Sequence, residues 1–266
     1  MSISVIINTH NDSAHLDRVL ESVKDFDEIV VCDMESTDET VAIAKARGCR
    51  VLTFPKGNHT CYEPARNFAI HQARSEWVLV VDADEIVPSA LRRYLYHYVN
   101  GHKPASGLYI PRRNYIMDRF RRATYPDYQL RFFRAECVDW PPYVHSEPVV
   151  SGPVGKIPAN KMALALIHIP LPLQVMVGRL NSYTTAELKK AHRPKVSLVS
   201  LTVKPLGLFL NAYLLKGGYK YGIPGFIAAS HQAVYSLYSQ AKIYEDGVKY
   251  NMPKEIGAKD SVLPED

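Results

Sequence analysis

The first hundred residues alternate short apolar runs with amphipathic stretches. Residues 2–8 form a β-branched apolar run, the pattern of a buried strand. Asp12 or Ser13 can then cap a helix that carries Leu16, Val19, Leu20 and Val23 on one face. Residues 28–33, EIVVCD, predict a second buried strand. Ser36 and Glu39 have the spacing of a capping box, and the helix behind them carries Val41, Ile43, Ala44 and Ala46 until Gly48 stops it. Residues 50–54 predict a third strand, 64–73 a helix, and 77–81, WVLVV, a fourth strand that runs into Asp82-Ala83-Asp84. Strands alternating with helices predict a parallel sheet with right-handed crossovers.

The pattern changes near residue 100. Residues 107–113 and 128–134 predict strands, with a basic loop over 114–126 between them, and a proline-rich stretch follows. From residue 173 the periodicity is helical again. Helices are expected over 173–191, over 196–216 with an interruption at Lys204-Pro205, and over 226–245, before a polar tail. No eighteen apolar residues run uninterrupted, so no membrane-spanning segment is expected. Residues 196–215 read either as an interfacial helix, with lysines and tyrosines at its edges, or as a core helix.

Composition narrows the class. With 47% hydrophobic and 22% charged residues in 266, the chain has enough apolar material for a packed core, which excludes disorder, collagen and coiled coil. The net charge of +5 is too small by itself to indicate nucleic-acid binding. The basic residues concentrate in 103–134 and in the C-terminal part, where they mix with tyrosine and leucine, a pattern that suits an anionic membrane face. The four cysteines contain no CxxC pair, and the N-terminus has no signal-peptide pattern. The expectation is a cytoplasmic chain with reduced cysteines that can touch an anionic membrane surface.

Four constellations carry candidate chemistry. Asp82 and Asp84 stand at i and i+2 past a buried strand, at the edge where open α/β sheets bind ligands. Two carboxylates there repel unless a cation lies between them, and oxygen donors suit Mg²⁺ or Mn²⁺. The same pair can equally cap the next helix. Asp33, with Ser36 and Asp38, follows another buried strand, where a carboxylate can meet a ribose or a base edge; helix capping is the alternative. Asn8-Thr9-His10-Asn11 ends the first strand in short polar residues suited to a nucleotide-binding turn or an Asx turn. Arg66-Asn67 opens a helical segment, placing a guanidinium within reach of a phosphate or a surface acid.

These four motifs, in this order, resemble glycosyltransferase family 2. The runs SVIINTHN, EIVVCDMESTDET and EPARNFAIHQARSEWVLVVDADE carry the resemblance over about residues 2–150. It is most specific to short bacterial members similar to lipopolysaccharide-core glucosyltransferases, which continue with a PDxQLR-type and a VHE-type segment. Here these read Pro126-Asp127-Tyr128-Gln129-Leu130-Arg131 and Val144-His145-Ser146-Glu147, the second with an inserted serine. The first motif has NTHN in place of the usual PTYN but keeps Thr9 and Asn11.

The resemblance implies an α/β GT-A nucleotide-diphospho-sugar transferase fold, Rossmann-like with a mostly parallel sheet, and a helical C-terminal extension. It implies a nucleotide-sugar part over 1–100, an acceptor-side part over 101–168, a basic helical extension over 169–250 and a tail over 251–266. By motif, Thr9, Asn11 and Asp33 hold the nucleoside, Arg66 approaches the diphosphate, and Asp82 meets ribose or metal. Asp84 and His145 bind the metal, a divalent cation. Family members invert, so a base must deprotonate the acceptor hydroxyl: Asp127 first, Glu147 second. Arg112, Arg113 and Arg131 would contact the acceptor or a phosphate. The partners implied are a UDP-sugar and a glycan or lipid-linked acceptor such as lipopolysaccharide core, with no nucleic acid. The alternative is a catalytically degenerate binding module at the membrane. A sugar nucleotidyltransferase is disfavoured because the first turn lacks glycine.

Overall fold

In the computed structural model, which describes residues 1–57, 62–102, 104–142, 146–170, 172–189 and 195–248, four parallel strands lie in the order β3-β2-β1-β4. They are β1 (Ile3–Thr9), β2 (Glu28–Asp33), β3 (Arg50–Thr53) and β4 (Trp77–Asp82), crossed by α1 (Ser13–Val23), α2 (Thr40–Ala46) and α3 (Glu63–His71). Every residue of β1 is buried, because the strand is covered on both faces. Its side chains alternate between two cores. Val5 and Ile7 join Leu16, Leu20, Trp77 and Leu79 on one face, and Ile6 joins Val30, Val78, Val80 and Ile70 on the other. Each such side chain stabilises the fold by roughly 1.5–3 kcal/mol, which is why an apolar run with no polar alternation settles here.

The remaining elements of this part are β5 (Glu85–Ile86), α4 (Ser89–Val99), β6 (Gly107–Ile116), β7 (Arg119–Phe120), β8 (Asp127–Arg134), β9 (Val138–Asp139), β10 (Val149–Val150), β11 (Val154–Lys156) and β12 (Leu166–His168). The main sheet runs β3-β2-β1-β4-β8-β6-β12-β5, with β8 antiparallel to both β4 and β6. That reversal brings residues 127–131 alongside the end of β4. Trp77 stacks on Phe132 with ring centroids 5.0 Å apart, tying β4 to β8.

Three local expectations are corrected. The Ser36/Glu39 capping box does not form. The helix starts at Thr40, whose amide donates to Asp38 Oδ1 (3.0 Å), while Ser36 Oγ donates to Asp33 (2.5 Å) and accepts from the Asn11 amide (2.9 Å), a donor nearer than the helix end. The basic loop is shorter than expected, because β6 continues to Ile116 and turns into β7. Lys204-Pro205 does not interrupt its helix. Gly48 does stop α2, at φ +71°, with its amide on Lys45 O (3.0 Å).

The chain divides into two compact units, residues 1–171 and 172–266. The second contains α5 (Leu173–Ala186), α6 (Leu198–Leu210) and α7 (Ile223–Gly247). Ser197 and Ser200 cap α6 reciprocally. The helix runs through Pro205 and continues as a π turn over Asn211–Leu215. Leu198–Leu215 is therefore one helical run, long and apolar enough by length and composition to cross a membrane, where no such segment was expected.

Glu28 shows how the edge of β2 is held. Its carboxylate accepts from Ser4 Oγ (2.5 Å), the Arg74 amide (2.9 Å) and Arg50 Nη1 (3.1 Å). Burial pushes its pKa up, but these donors outweigh burial and leave it below the ordinary 4.5. A depressed carboxyl stabilises the fold above its unfolded pKa, and that contribution is lost as the pH falls through the folded value. Glu28→Gln is expected to cost about 1–3 kcal/mol at neutral pH. In urea unfolding, the gap between variant and parent should narrow as the pH falls below the ordinary value of 4.5; a gap independent of pH would assign the loss to packing.

Candidate active site

Strands β1, β2 and β4 end side by side, with Thr9 in register with Asp33 and Asn8 with Asp82. Thr9 Oγ1 donates to Asp33 Oδ1 (3.1 Å), and the Ser36 amide donates to Asp33 Oδ2 (2.9 Å). Asn11 adopts φ +57° and clamps the facing turn. Its amide donates to Ser36 Oγ (2.9 Å), and its Oδ1 accepts from the Thr37 amide (2.8 Å). His10 Nδ1–H donates to Met34 O (2.8 Å), which leaves Nε2 to accept from Lys56 Nζ (2.5 Å). Thr9, Asn11 and Asp33 thus form one cluster, built from two strand ends and the turns behind them.

Asp82 lies beside this cluster and is bound by two guanidiniums. Arg66 Nη2, from α3, donates to Oδ1, and Arg131 Nη2, from β8, donates to Oδ2 (2.6 Å). Both arginines lie over Trp140, with Cζ 4.9 Å and 5.5 Å from the ring centroid. Asn67 fixes that tryptophan's backbone: its Oδ1 accepts from the Trp140 amide (2.9 Å) and its Nδ2 donates to Asp139 (3.1 Å). Burial pushes the Asp82 carboxyl up, but the charges of Arg131, Arg66 and Arg112 outweigh it and hold the carboxyl well below the usual range. Each of its two oxygens accepts from an arginine.

Asp84 faces a different partner. The turn at Asp82-Ala83-Asp84 is closed by the Asp82 amide on Glu85 Oε2 (3.0 Å) and by the Ile169 amide on Asp84 O (2.7 Å). This brings Asp84 Oδ2 to 3.5 Å from His168 Nε2, at the end of β12. Asn114 orients the ring: its Oδ1 takes His168 Nδ1–H (3.1 Å), and its Nδ2 donates to Asp127 Oδ2 (2.8 Å). Burial lowers the His168 pKa, but the hydrogen bond and charge of Asp84 outweigh it and raise it above 6.5.

Asp127 begins β8. Besides Asn114, it receives Arg112 Nε on Oδ2 (2.9 Å) and Gln129 Nε2 on Oδ1 (2.9 Å). Burial opposes ionisation, but Asn114, Arg112 and Gln129 overcome it and lower the pKa below 3.8. Arg112 also donates to Glu85 Oε1 (2.9 Å), a fully buried carboxylate. Asp84–His168–Asn114–Asp127–Arg112–Glu85 is therefore one continuous polar chain.

This edge of the sheet can hold an anionic ligand among arginines and a cation at Asp84. A model of the family described as Glycosyl transferase family 2 matches residues 4–147. The chain belongs to glycosyltransferase family 2. It is 29% identical over 262 residues to the lipopolysaccharide core biosynthesis glycosyltransferase LpsC of Rhizobium meliloti, covering 92% of this chain and 93% of that one. It is 27% identical over 261 residues to an uncharacterized glycosyltransferase of Rickettsia typhi, covering 93% and 88%. Among solved structures it is similar in fold to the mannosyltransferase PcManGT of Pyrobaculum calidifontis, with a TM-score of 0.50, 14% identity, and 92% and 87% of the two chains covered. The expected GT-A architecture, with helices following the sheet, is the one observed.

In this glycosyltransferase, Asp33, Asp82 and Asp84 lie at strand ends and the turn after β4, Asp127 begins β8, Arg66 lies on α3, Arg112 within β6 and Arg131 within β8. Arg131 pairs with Asp82 and is buried. Arg113 follows Arg112 on β6, with its Nε buried and without a partner among the described residues. Glu147 is exposed, and His145 lies outside the described residues. The motifs missed His168, Asn114, Glu85 and Trp140. His168 had a signal: the apolar run ALALIH ends in a polar residue, as WVLVVD does. Asn114 and Glu85 carried none, because their roles depend on strands paired far along the chain.

Proposed function

We propose that this glycosyltransferase transfers a sugar, with inversion, from a nucleotide-diphosphate donor, specifically a UDP-sugar, to a hydroxyl of a glycan or lipid-linked acceptor such as lipopolysaccharide core. The observation that carries the reading is the Asp82-Ala83-Asp84 turn, which faces Arg66 and Arg131 on one side and His168 on the other. The similarity to LpsC, named for lipopolysaccharide core biosynthesis, supports the acceptor class.

Thr9, Asn11 and Asp33 take the nucleoside at the ends of β1 and β2. Arg66 and Arg131 offer positive charge to the diphosphate. The donor set at Asp84 fits a divalent cation, Mg²⁺ or Mn²⁺. One carboxylate faces one imidazole whose Nδ1–H is committed to Asn114; Nε2–H pairs with Asp84 while the ring is charged, and on losing that proton Nε2 would turn its lone pair to the cation. No cluster of three or more His, Cys, Asp or Glu donors occurs among the described residues. A small cation held by two protein donors takes phosphate oxygens and water as its other ligands. PcManGT was solved with GDP-Man and Mn²⁺, in line with this assignment. When bound, the cation neutralises the departing diphosphate. Asp127 accepts the proton of the acceptor hydroxyl as that oxygen bonds to the anomeric carbon and the bond from carbon to diphosphate oxygen breaks.

A thermal-shift panel of UDP, GDP, dTDP and CMP, each with and without Mn²⁺, tests the reading. A ligand that binds only the native state raises the melting temperature by mass action. The expected result is a shift with UDP that requires the metal and disappears in Asp84→Ala. A folded protein that shifts with no nucleotide would favour the degenerate binding module, and a shift with GDP or dTDP alone would replace the donor.

A further inference from the structure

We propose that the α6–α7 hairpin is a membrane-docking surface that lies in the plane of an anionic lipid bilayer. This goes beyond the donor chemistry and does not depend on it.

The packing of the hairpin is inverted relative to a water-soluble helix pair. The side of α7 turned inward carries Gly225, Ala229, Ser236, Ser239 and Gln240, all buried. At the turn, a Cβ on Gly225 would collide with the Gly218 carbonyl oxygen, so the backbones meet directly. Phe209 and Tyr213 of the first helical run also pack on Phe226 near the turn, but small buried residues on α7 with large apolar residues exposed on both helices are the arrangement of helices that pack in lipid. On α6, Val199, Val203, Leu206 and Leu210 recur at i, i+4, i+7 and i+11 and form one stripe, with exposures of 66%, 61%, 58% and 41%. Only 11% of Leu198–Leu215 is buried inside the protein. On α7, Ile223, Phe226, Val234 and Leu237 form a second exposed stripe. A cavity of about 680 Å³ between α5 and α7, lined by Leu173, Val177, Phe226 and Val234 among others, extends this apolar surface. Contiguous exposed apolar surface of this extent marks an interaction face.

Charge selects the occupant. Between Lys195 and Tyr244 there is no aspartate or glutamate, while Lys195, Lys204, Lys216 and Lys220 are available along the hairpin; Lys242 is held by Asn181 and Thr185. Two copies of this face would bring like charges together, which argues against self-association. Anionic headgroups supply the missing counter-charge. Lys195 precedes α6 and Lys216 and Lys220 lie at the turn, but Lys204 sits inside α6. An in-plane helix lets each one reach the headgroups, whereas a spanning helix would carry Lys204 into hydrocarbon. Tyr219, exposed at the turn, has the amphipathic ring that favours the interface.

The test is flotation of the full-length protein, without nucleotide, on vesicles of phosphatidylethanolamine with phosphatidylglycerol and on phosphatidylcholine vesicles. Binding to the anionic vesicles alone is expected, weakened by salt. Joint Leu206→Glu and Leu210→Glu substitution should weaken it by more than about tenfold, since it puts charge on the inserted stripe. The melting temperature should hold, because both positions are exposed. Lys216→Gln with Lys220→Gln should weaken binding and reduce its salt dependence. Absence of flotation by the parent protein, or equal flotation by the glutamate variant, overturns the proposal. So does a dimer in light scattering that the glutamate pair dissolves while the parent ignores vesicles. Because no nucleotide is present, these outcomes are independent of the donor assignment.

Discussion

Replacing Asp127 by asparagine is expected to lower turnover in sugar transfer by about 10²–10⁴-fold, with donor KM little changed. Asp127 is held by three donors, Arg112 Nε at 2.9 Å, Asn114 Nδ2 at 2.8 Å and Gln129 Nε2 at 2.9 Å, all from β6 and β8. Asparagine preserves the shape and one acceptor oxygen but cannot take a proton at neutral pH. The donors that orient Asp127 also lower its pKa, so it is ionised and ready to accept, though a weaker base than a free carboxylate. Steady-state kinetics with the acceptor, together with the melting temperature, separates the alternatives. A fall in kcat at constant melting temperature supports the base. An unchanged kcat would make Asp127 a structural partner of Arg112. The parallel Glu147→Gln variant should then carry the loss; otherwise it should stay near the parent, because Glu147 is exposed.

Asp82→Ala should have the largest effect on stability. It leaves Arg66 and Arg131 stacked on Trp140 without their shared counter-charge. Breaking a buried ion pair from one side costs about 3–5 kcal/mol. The Asp82 side chain is 23% exposed, so about 2–3 kcal/mol is expected, a fall in melting temperature of roughly 5–10 °C. Urea unfolding measures it. Asp82→Asn should lose less, because the amide oxygen still accepts from one arginine. If alanine and asparagine cost the same small amount, the arginines are finding solvent or each other's carbonyl partners, and Asp82 is not the hub of this pair. Activity should fall in both, since the positions of Arg66 and Arg131 depend on this carboxylate.

The two predictions differ in how much of their basis was visible along the chain. Asp82 and Asp127 both stood out by motif. Asp82 follows a run of apolar residues that only a doubly covered strand accommodates, and the tight turn after it is encoded locally. The pairing of Asp82 with Arg131 was not visible, since 49 residues separate them and only the antiparallel insertion of β8 beside β4 brings them together. The same holds for Asp127, which pairs with Arg112 and not with the nearer Arg131. A register shift between β6 and β8 at Arg131 interrupts the alternation from residue 127, and the sheet places different neighbours beside each.

Errors at the ends of elements have a common cause. The capping box at Ser36 satisfied a local rule, yet Ser36 Oγ is turned to donate to Asp33 (2.5 Å) and to accept from the Asn11 amide (2.9 Å), a tertiary partner the local rule does not see. Pro205 satisfied the rule for a helix break, yet the run Leu198–Leu215 carries straight through it.

By itself, the amino-acid sequence determined the alternating α/β architecture, the family, and the position of each strand-terminal carboxylate, because hydrophobic period and turn chemistry act over a few residues. Tertiary structure alone decided which carboxylates face arginine and which faces histidine. It brought His168 to Asp84, Asn114 between His168 and Asp127, and Glu85 beneath Arg112. Those contacts depend on the order and direction in which distant strands pair, and no local pattern records that order.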